Sequence, residues 1–306
     1  MNRIYCIGET VLDIIFRNEN PIAAKPGGSM LNAAVSLGRM GLLPVFISDF
    51  GEDQAGNLIH SFLRENGVDT QHVDRFTEGN TALSLAFLDE FSNASYTFYR
   101  NYPSRRLRIP LPEAGHRDLV LFGSFYSIAH EVRKPIWKFL VRARENGALL
   151  LYDPNFRKPH VKQLPEFRPW ILENIALAQV TRGSAGDFFH IFESATPEEA
   201  FMEVRNHGCP VLIYTQNKEP VTVFTGRQKI ELPVPVICPV STIGAGDAFN
   251  AGLIYAWHRL HGGLRLPSTE LEWKSTIQTA IRFAANTCSS VENYISPEFA
   301  NQFKHA

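Results

Sequence analysis

Short apolar runs alternate with amphipathic stretches along nearly the whole chain. Largely apolar runs at 4–7, 45–48, 119–122, 149–152, 178–181 and 211–215 predict strands. Several lack a polar alternation, as expected where a parallel sheet is covered on both faces. Between them, periodic stretches at 30–40, 53–66 and 134–146 predict helices. These end at Gly41, Gly67 and Gly147, each suited to the left-handed position after a helix. Strands alternating with helices imply βαβ units and an α/β fold with a mainly parallel sheet.

Two stretches break this rhythm. Residues 81–88 and 95–100 flank a turn-rich loop at 89–94 and predict a β-hairpin, and 11–17 is a further candidate strand. Together they predict a small sheet laid over one edge of the main domain; an extension of the main sheet is the alternative. No internal repeat, low-complexity segment or Gly/Ser linker divides the 306 residues, a length that fits one large α/β domain or two ordinary ones.

Charge narrows the partners. Thirty basic and 31 acidic residues give a net charge of −1, which offers no general electrostatic grip on nucleic acid or on an anionic membrane. Arg100, Arg105, Arg106 and Arg108 form a local basic cluster. Cys6, Cys209, Cys238 and Cys288 are far apart with no CxxC pair, and read as free thiols, three of them in apolar surroundings. The chain opens directly on a strand-like run, and no apolar stretch reaches the roughly eighteen residues of a membrane span, so a cytoplasmic protein is expected.

The strongest chemical signal is Ser241-Thr242-Ile243-Gly244-Ala245-Gly246-Asp247-Ala248-Phe249, which follows a Pro-punctuated extended segment at 232–240 and opens a helix predicted over 248–260. Gly244 and Gly246 allow a close backbone approach, and their N–H groups with those of the first helical turn would converge on an anion. A fixed carboxylate there is of no use for merely holding phosphate. It is of use for deprotonating a hydroxyl beside one, and the helix dipole favours its ionised form. Asp247 as a plain helix N-cap is the alternative. There is no Gly-Lys dipeptide for a Walker A loop, no GxGxxG, no second histidine to complete HExxH, and no His/Cys cluster with zinc spacing.

Three weaker signals accompany it. Pro26-Gly27-Gly28-Ser29-Met30-Leu31-Asn32 sets a diglycine before a helix whose first turn carries Asn32, an amide able both to donate to and to accept from a polyol. Gly8-Glu9-Thr10-Val11-Leu12-Asp13 places Glu9 and Asp13 at the carboxyl end of the first strand, where open α/β sheets gather ligands. Asp153-Pro154-Asn155-Phe156-Arg157 brings polar groups to the same sheet edge. Each also has a purely structural reading as a turn or helix end.

In this order and spacing the segments resemble the PfkB family of ribokinase-like carbohydrate kinases over essentially the whole chain. Gly8-Glu9 with Asp13 resembles its first-strand sugar contact, Gly27-Gly28 with Asn32 its N-terminal signature, and 241–249 its C-terminal signature, usually Asp-Thr-Thr-Gly-Ala-Gly-Asp-Ala/Ser-Phe. The resemblance implies a single domain over 1–306, a three-layer α/β/α sandwich with a β lid formed near 11–25 and 81–102. It also implies Mg2+ and ATP as phosphoryl donor, and a sugar as acceptor. By position, Asp247 is the base and Gly244, Ala245 and Gly246 the anion hole. Glu9, Asp13, Gly27, Gly28 and Asn32 face the sugar; Ser184, Thr215, Gly244, Gly246 and Asn286 face the nucleotide.

Tyr99-Arg100 and Asp153-Pro154-Asn155-x-Arg157 look most like the fructokinase and 2-keto-3-deoxygluconate kinase branches. Arg100, Asp153, Asn155 and Arg157 join the acceptor side on that basis. Fructose or a related hexose is the expected acceptor; a nucleoside, 2-keto-3-deoxygluconate or a sugar phosphate keeps the fold and changes the acceptor. Departures matter. The family's Asn-x-x-Glu appears as Ser184-Ala185-Gly186-Asp187, which leaves Asp187 to hold magnesium through water. Ser241 and Ile243 replace Asp and Thr, which puts activation by a monovalent cation, K+, in doubt. The nucleotide turn loses both glycines in 215–220. These changes motivate a non-catalytic sugar-binding regulator as a third reading, and the intact Gly-Ala-Gly-Asp argues against it. A homodimer through the lid is compatible with its apolar Leu83, Leu85, Phe87 and Phe98.

Overall fold

The computed structural model describes residues 2–88, 94–156, 158–226, 228–259 and 264–304, and in it the apolar runs form the middle of one large sheet. The strands are β1 (Ile4–Ile7), β2 (Val11–Arg17), β3 (Asn20–Gly27), β4 (Val45–Gly51), β5 (Val73–Phe76), β6 (Asn80–Leu88), β7 (Ala94–Asn101), β8 (Leu119–Gly123), β9 (Leu149–Asp153), β10 (Val180–Ser184), β11 (Val211–Thr215), β12 (Val221–Phe224) and β13 (Lys229–Leu232). The helices are α1 (Ser29–Arg39), α2 (Gln54–Glu65), α3 (His130–Glu145), α4 (Leu164–Leu177), α5 (Ala185–Phe192), α6 (Pro197–Asn206), α7 (Ala245–Arg259), α8 (Glu270–Cys288) and α9 (Pro297–Lys304).

The main sheet runs β13-β12-β11-β10-β9-β8-β1-β4-β5. Pairing is parallel from β11 through to β5, and antiparallel only for β11–β12 and β12–β13 at one edge. Period-two alternation explains the unbroken apolar strands. Ile4 and Cys6 of β1, Leu119 and Leu121 of β8, and Val211 and Ile213 of β11 point to the layer of α1, α2, α7, α8 and α9. Their neighbours Tyr5, Ile7, Val120, Phe122, Leu212 and Tyr214 point to the layer of α3 to α6. Both faces are covered, which is the three-layer sandwich expected from the sequence. Cys6, Cys209 and Cys288 lie buried as free thiols and Cys238 is exposed. Among the described residues no helix is long and apolar enough to cross a membrane.

The second sheet has the order β3-β2-β6-β7. The stretches read as a hairpin do pair antiparallel as β6 and β7, with the tip at 89–93 outside the described residues. β2 pairs antiparallel with β3 but parallel with β6, so the sheet is mixed at its centre.

Boundaries differ from the sequence reading by up to four residues, and for three of them the cause is plain. α3 begins at His130 rather than 134, because Pro135 is tolerated one turn in, where it forfeits a single hydrogen bond. β10 starts at Val180 because Ala178 is taken as the end of α4. α7 begins at Ala245 rather than 248: Gly244 adopts φ +79° and its carbonyl accepts from Ala248 N at 2.8 Å. Asp247 therefore sits inside the first turn, and the N-cap alternative is excluded.

The carboxyl ends of β1, β9, β10 and β11 and the N-termini of α1 and α7 share one edge of the main sheet, which is where side chains for chemistry collect. α7 is held there by α8. A Cβ on Gly252 would fall 2.6 Å from Ala280 Cα and 3.1 Å from Phe283 Cγ. Gly252→Ala should therefore push the two helices apart and destabilise the fold by about 1–3 kcal/mol. Urea denaturation followed by circular dichroism measures this, and an unchanged midpoint would mean the packing at Gly252 is slack.

Candidate active site

Two helix N-termini meet at Asp247. α1 starts at Ser29, immediately after Gly28 at φ 128°, and α7 brings Asp247 into its own first turn. Ser29 Oγ donates to Asp247 Oδ1 at 2.6 Å and Asn32 Nδ2 donates to Oδ2 at 2.8 Å. Asp247 and Asn32 are both buried. The positive ends of two helix dipoles thus face one place. Asn32 Oδ1, buried as well, has no hydrogen-bond partner among the described residues.

The diglycine makes this approach possible. A Cβ on Gly27 would lie 2.0 Å from Asp13 Oδ2, and one on Gly28 would lie 2.2 Å from the Glu9 carbonyl oxygen. Without side chains there, the end of β3 passes against the 9–13 segment and both segments join the same pocket wall. That pocket is lined by Glu9, Asp13, Asn32 and Asp247 together with Phe98, Arg100, Phe125 and Asn155. Arg100 donates to Glu9 at 3.3 Å.

Behind the glycine turn lies a buried polar cluster. A Cβ on Gly244 would fall 2.1 Å from the Asn293 carbonyl oxygen, so the loop after α8 closes directly on the turn. Arg182, at 8% exposure, lies under Gly246; its guanidinium donates to Asp153 Oδ2 at 3.0 Å and to Thr215 Oγ1 at 2.9 Å. Asn250 Nδ2 donates to the same Asp153 oxygen at 2.6 Å. Asp187 accepts from Phe156 N through Oδ1 and from Ser184 N and Oγ through Oδ2, all at 2.6 Å, in the capping box that starts α5. Burial, then the negative charge of Asp153, holds the Asp187 carboxyl above its ordinary range against the opposing pull of Ser184 and Arg182.

Glu9, Asp13, Gly28, Asn32, Arg100, Asn155 and Asp247 come together around one pocket, and Gly27 abuts Asp13. Asp153 does not line it: the residue is 1% exposed, and its carboxylate binds Arg182, Asn250 and the Asn155 amide, so it braces the sheet edge instead. Thr215 is tied to Arg182 and to the Gly183 carbonyl. Asn286 Oδ1 accepts from Ser296 N at 2.9 Å and so pins the loop beyond α8. Arg157 lies outside the described residues.

The arginine cluster does not form a cationic pocket. Arg106 is buried against Asp49, Arg108 bonds Asp74, Arg105 is exposed, and Arg100 alone reaches the lining. Sequence reasoning missed Ser29, although it adjoins the diglycine and could have been found there. It also missed Phe125, Arg182 and Asn293, which carry no local motif and reach the site only through the topology of the sheet.

Among the described residues no group of three or more His, Cys, Asp and Glu side chains could hold a metal ion. With its oxygens engaged by protein donors, Asp187 fits a magnesium held through water better than one bound directly.

The family model described as pfkB family carbohydrate kinase matches residues 1–298. The chain is similar to the fructokinase of Vibrio alginolyticus, at 25% identity over 297 residues, covering 95% of this chain and 92% of that protein. It is similar in structure to the aminoimidazole riboside kinase of Salmonella enterica complexed with aminoimidazole riboside and an ATP analog (TM-score 0.84, 23% identity, 100% of both chains). The fructokinase of Vibrio cholerae O395 in its fructose-, ADP- and calcium-bound form is likewise similar (TM-score 0.85, 21% identity, 99% of both chains). The structural likenesses establish the fold, the match to the family model runs from β1 into α9 through the Gly244–Asp247 turn, and the chain belongs to the pfkB family as an ATP-dependent carbohydrate kinase.

Proposed function

We propose that this kinase phosphorylates a neutral sugar, with fructose or a related hexose or ketose as acceptor and Asp247 as base. The observation that carries the reading is a buried carboxylate clasped by Ser29 and Asn32 where two helix N-termini meet, open to a pocket lined by polar and aromatic side chains. Ser29 and Asn32 fix the carboxylate's orientation, so no reorganisation is needed at the moment of reaction. Asn32 Oδ1, without a partner of its own, accepts from one acceptor hydroxyl. A second hydroxyl attacks the γ-phosphorus of ATP, its proton passes to Asp247, and the bond to the bridging oxygen of ADP breaks. The Gly244 and Gly246 amides face the charge on the transferring group, the Ala245 amide being turned back to the Thr242 carbonyl, and such donors are most of what a loose phosphoryl-transfer transition state requires.

Magnesium, when bound, would neutralise phosphate charge, and Asp187 would hold it through water. Ser184, Thr215 and Asn286 belong to the nucleotide side. The four-stranded sheet acts as a lid over the acceptor within a single domain, and the setting is the cytoplasm.

Charge selects among acceptors. Among the described residues, Glu9, Asp13 and Asp247 line the pocket against Arg100, which is already paired with Glu9. A sugar phosphate or a keto acid would meet a net negative wall, so a neutral acceptor fits better. A riboside is the second reading. The Arg100 guanidinium lies 4.7 Å from the Phe98 ring and 5.7 Å from Phe125, a flat wall that suits a small heterocycle.

A panel of hexoses, ketodeoxy acids, sugar phosphates and ribosides, read as ADP release, should show turnover with a neutral sugar. Preference for an acid or phosphate would overturn the acceptor reading. Asp247→Ala should lower kcat about 10²–10⁴-fold while ATP affinity by calorimetry holds within about twofold. Turnover near the parent rate would remove Asp247 from the base role. Asn32→Asp would set two carboxylates side by side, so one titrates at higher pH. The acid limb of the kcat–pH profile should then move up by about one unit or more, and an unmoved limb would count against Asp247 as the titrating group.

A further inference from the structure

Glu9 is a pocket carboxylate held by a chain of contacts that runs back into the main sheet. Its Oε1 accepts from Tyr102 Oη at 2.5 Å and its Oε2 from Arg100 at 3.3 Å. Tyr102 is half-buried, and burial, then the charge of Glu9, holds its hydroxyl well above the ordinary phenol range, so it remains a donor. The Arg106 guanidinium carbon lies 3.5 Å from the centre of the Tyr102 ring, within cation–π range. Arg106 in turn grips Asp49 of β4 with two hydrogen bonds, Nε to Oδ2 at 2.8 Å and Nη2 to Oδ1 at 2.9 Å. Tyr126 Oη donates to the same Asp49 oxygen at 2.8 Å.

Asp49 and Arg106 are 1% and 5% exposed. A pair so dry recovers by attraction about what it loses in hydration, so it is poor evidence of stabilisation. What it does supply is geometry, because a planar two-bond grip leaves the guanidinium one orientation. That orientation fixes two pocket walls at once. One is Glu9, through Tyr102. The other is the 124–125 wall, because Tyr126 belongs to the short helical turn Phe125–Ile128 that carries it.

We propose that Tyr102 and Arg106 are positioning residues for the acceptor, setting affinity and selectivity by orienting Glu9 without touching the reacting atoms. The inference rests on reading this pocket as the acceptor site.

Tyr102→Phe removes only the hydroxyl and keeps the ring beneath Arg106. It should raise the acceptor KM about tenfold, the cost of one hydrogen bond to a charged group, with kcat and the ATP KM within about twofold. Glu9→Gln should raise the acceptor KM as well, and the double variant should be no worse than Glu9→Gln alone, since Tyr102 acts through Glu9. Arg106→Lys keeps the charge and loses the two-bond grip; it should move the acceptor KM in the same direction. Thermal melts of each variant separate loss of fold from loss of position. An unchanged acceptor KM in Tyr102→Phe, an additive double variant, or an equal rise in the ATP KM would overturn the proposal. Failure of the acceptor reading would appear separately, as preference for an acid or a sugar phosphate in the acceptor panel with the parent enzyme.

Discussion

The site depends on the meeting of two helix N-termini at one carboxylate. A helix leaves its first amides without internal acceptors, and α1 and α7 direct those ends toward Asp247 from segments far apart in the chain. Both starts are set by glycine, Gly28 for α1 and Gly244 for α7, each in a backbone conformation that other residues rarely adopt. The Ser29 and Asn32 side chains then lock the carboxylate in place. α7 itself is held by α8 through Gly252, so the position of the base depends on packing deep in the layer below.

The charges at the sheet edge have divided roles. Asp153 and Arg182 form a buried structural pair behind the glycine turn, whereas Glu9, Asp13 and Arg100 face the pocket. Burial separates the two groups. Asp153 binds Arg182, Asn250 and the Asn155 amide away from the pocket and is a brace, whereas a carboxylate at the pocket wall can still meet a ligand.

Much of this was legible in the sequence. The parallel sheet was readable because strands buried on both faces are apolar throughout, as at 119–122 and 149–152, and the glycine turn because it pairs flexibility with an out-of-place aspartate. What stayed hidden depends on long-range pairing. Nothing local tells that Arg106 meets Asp49 across the fold while Arg100 reaches the pocket, since the two arginines sit in one basic cluster. Asp153 looked like a ligand for the same reason. Its place at the end of a strand is visible in the sequence, but the Arg182 and Asn250 groups that occupy it are not. The start of α7 at Ala245, ahead of the expected 248, follows from the left-handed Gly244, which lets the helix begin inside the motif rather than after it.

The parallel pairing of β2 with β6 has a consequence for modularity. The small sheet comes from two hairpins, β2–β3 and β6–β7, joined along a seam that exists only after the chain has passed through α1, β4, α2 and β5. Parallel neighbours cannot be linked by a tight turn, and a lone two-stranded hairpin is barely stable in water. Neither half can therefore be cut out, or moved to another scaffold, as a self-sufficient cassette. The four strands come together only along with the elements of the large sheet that lie between them in the chain.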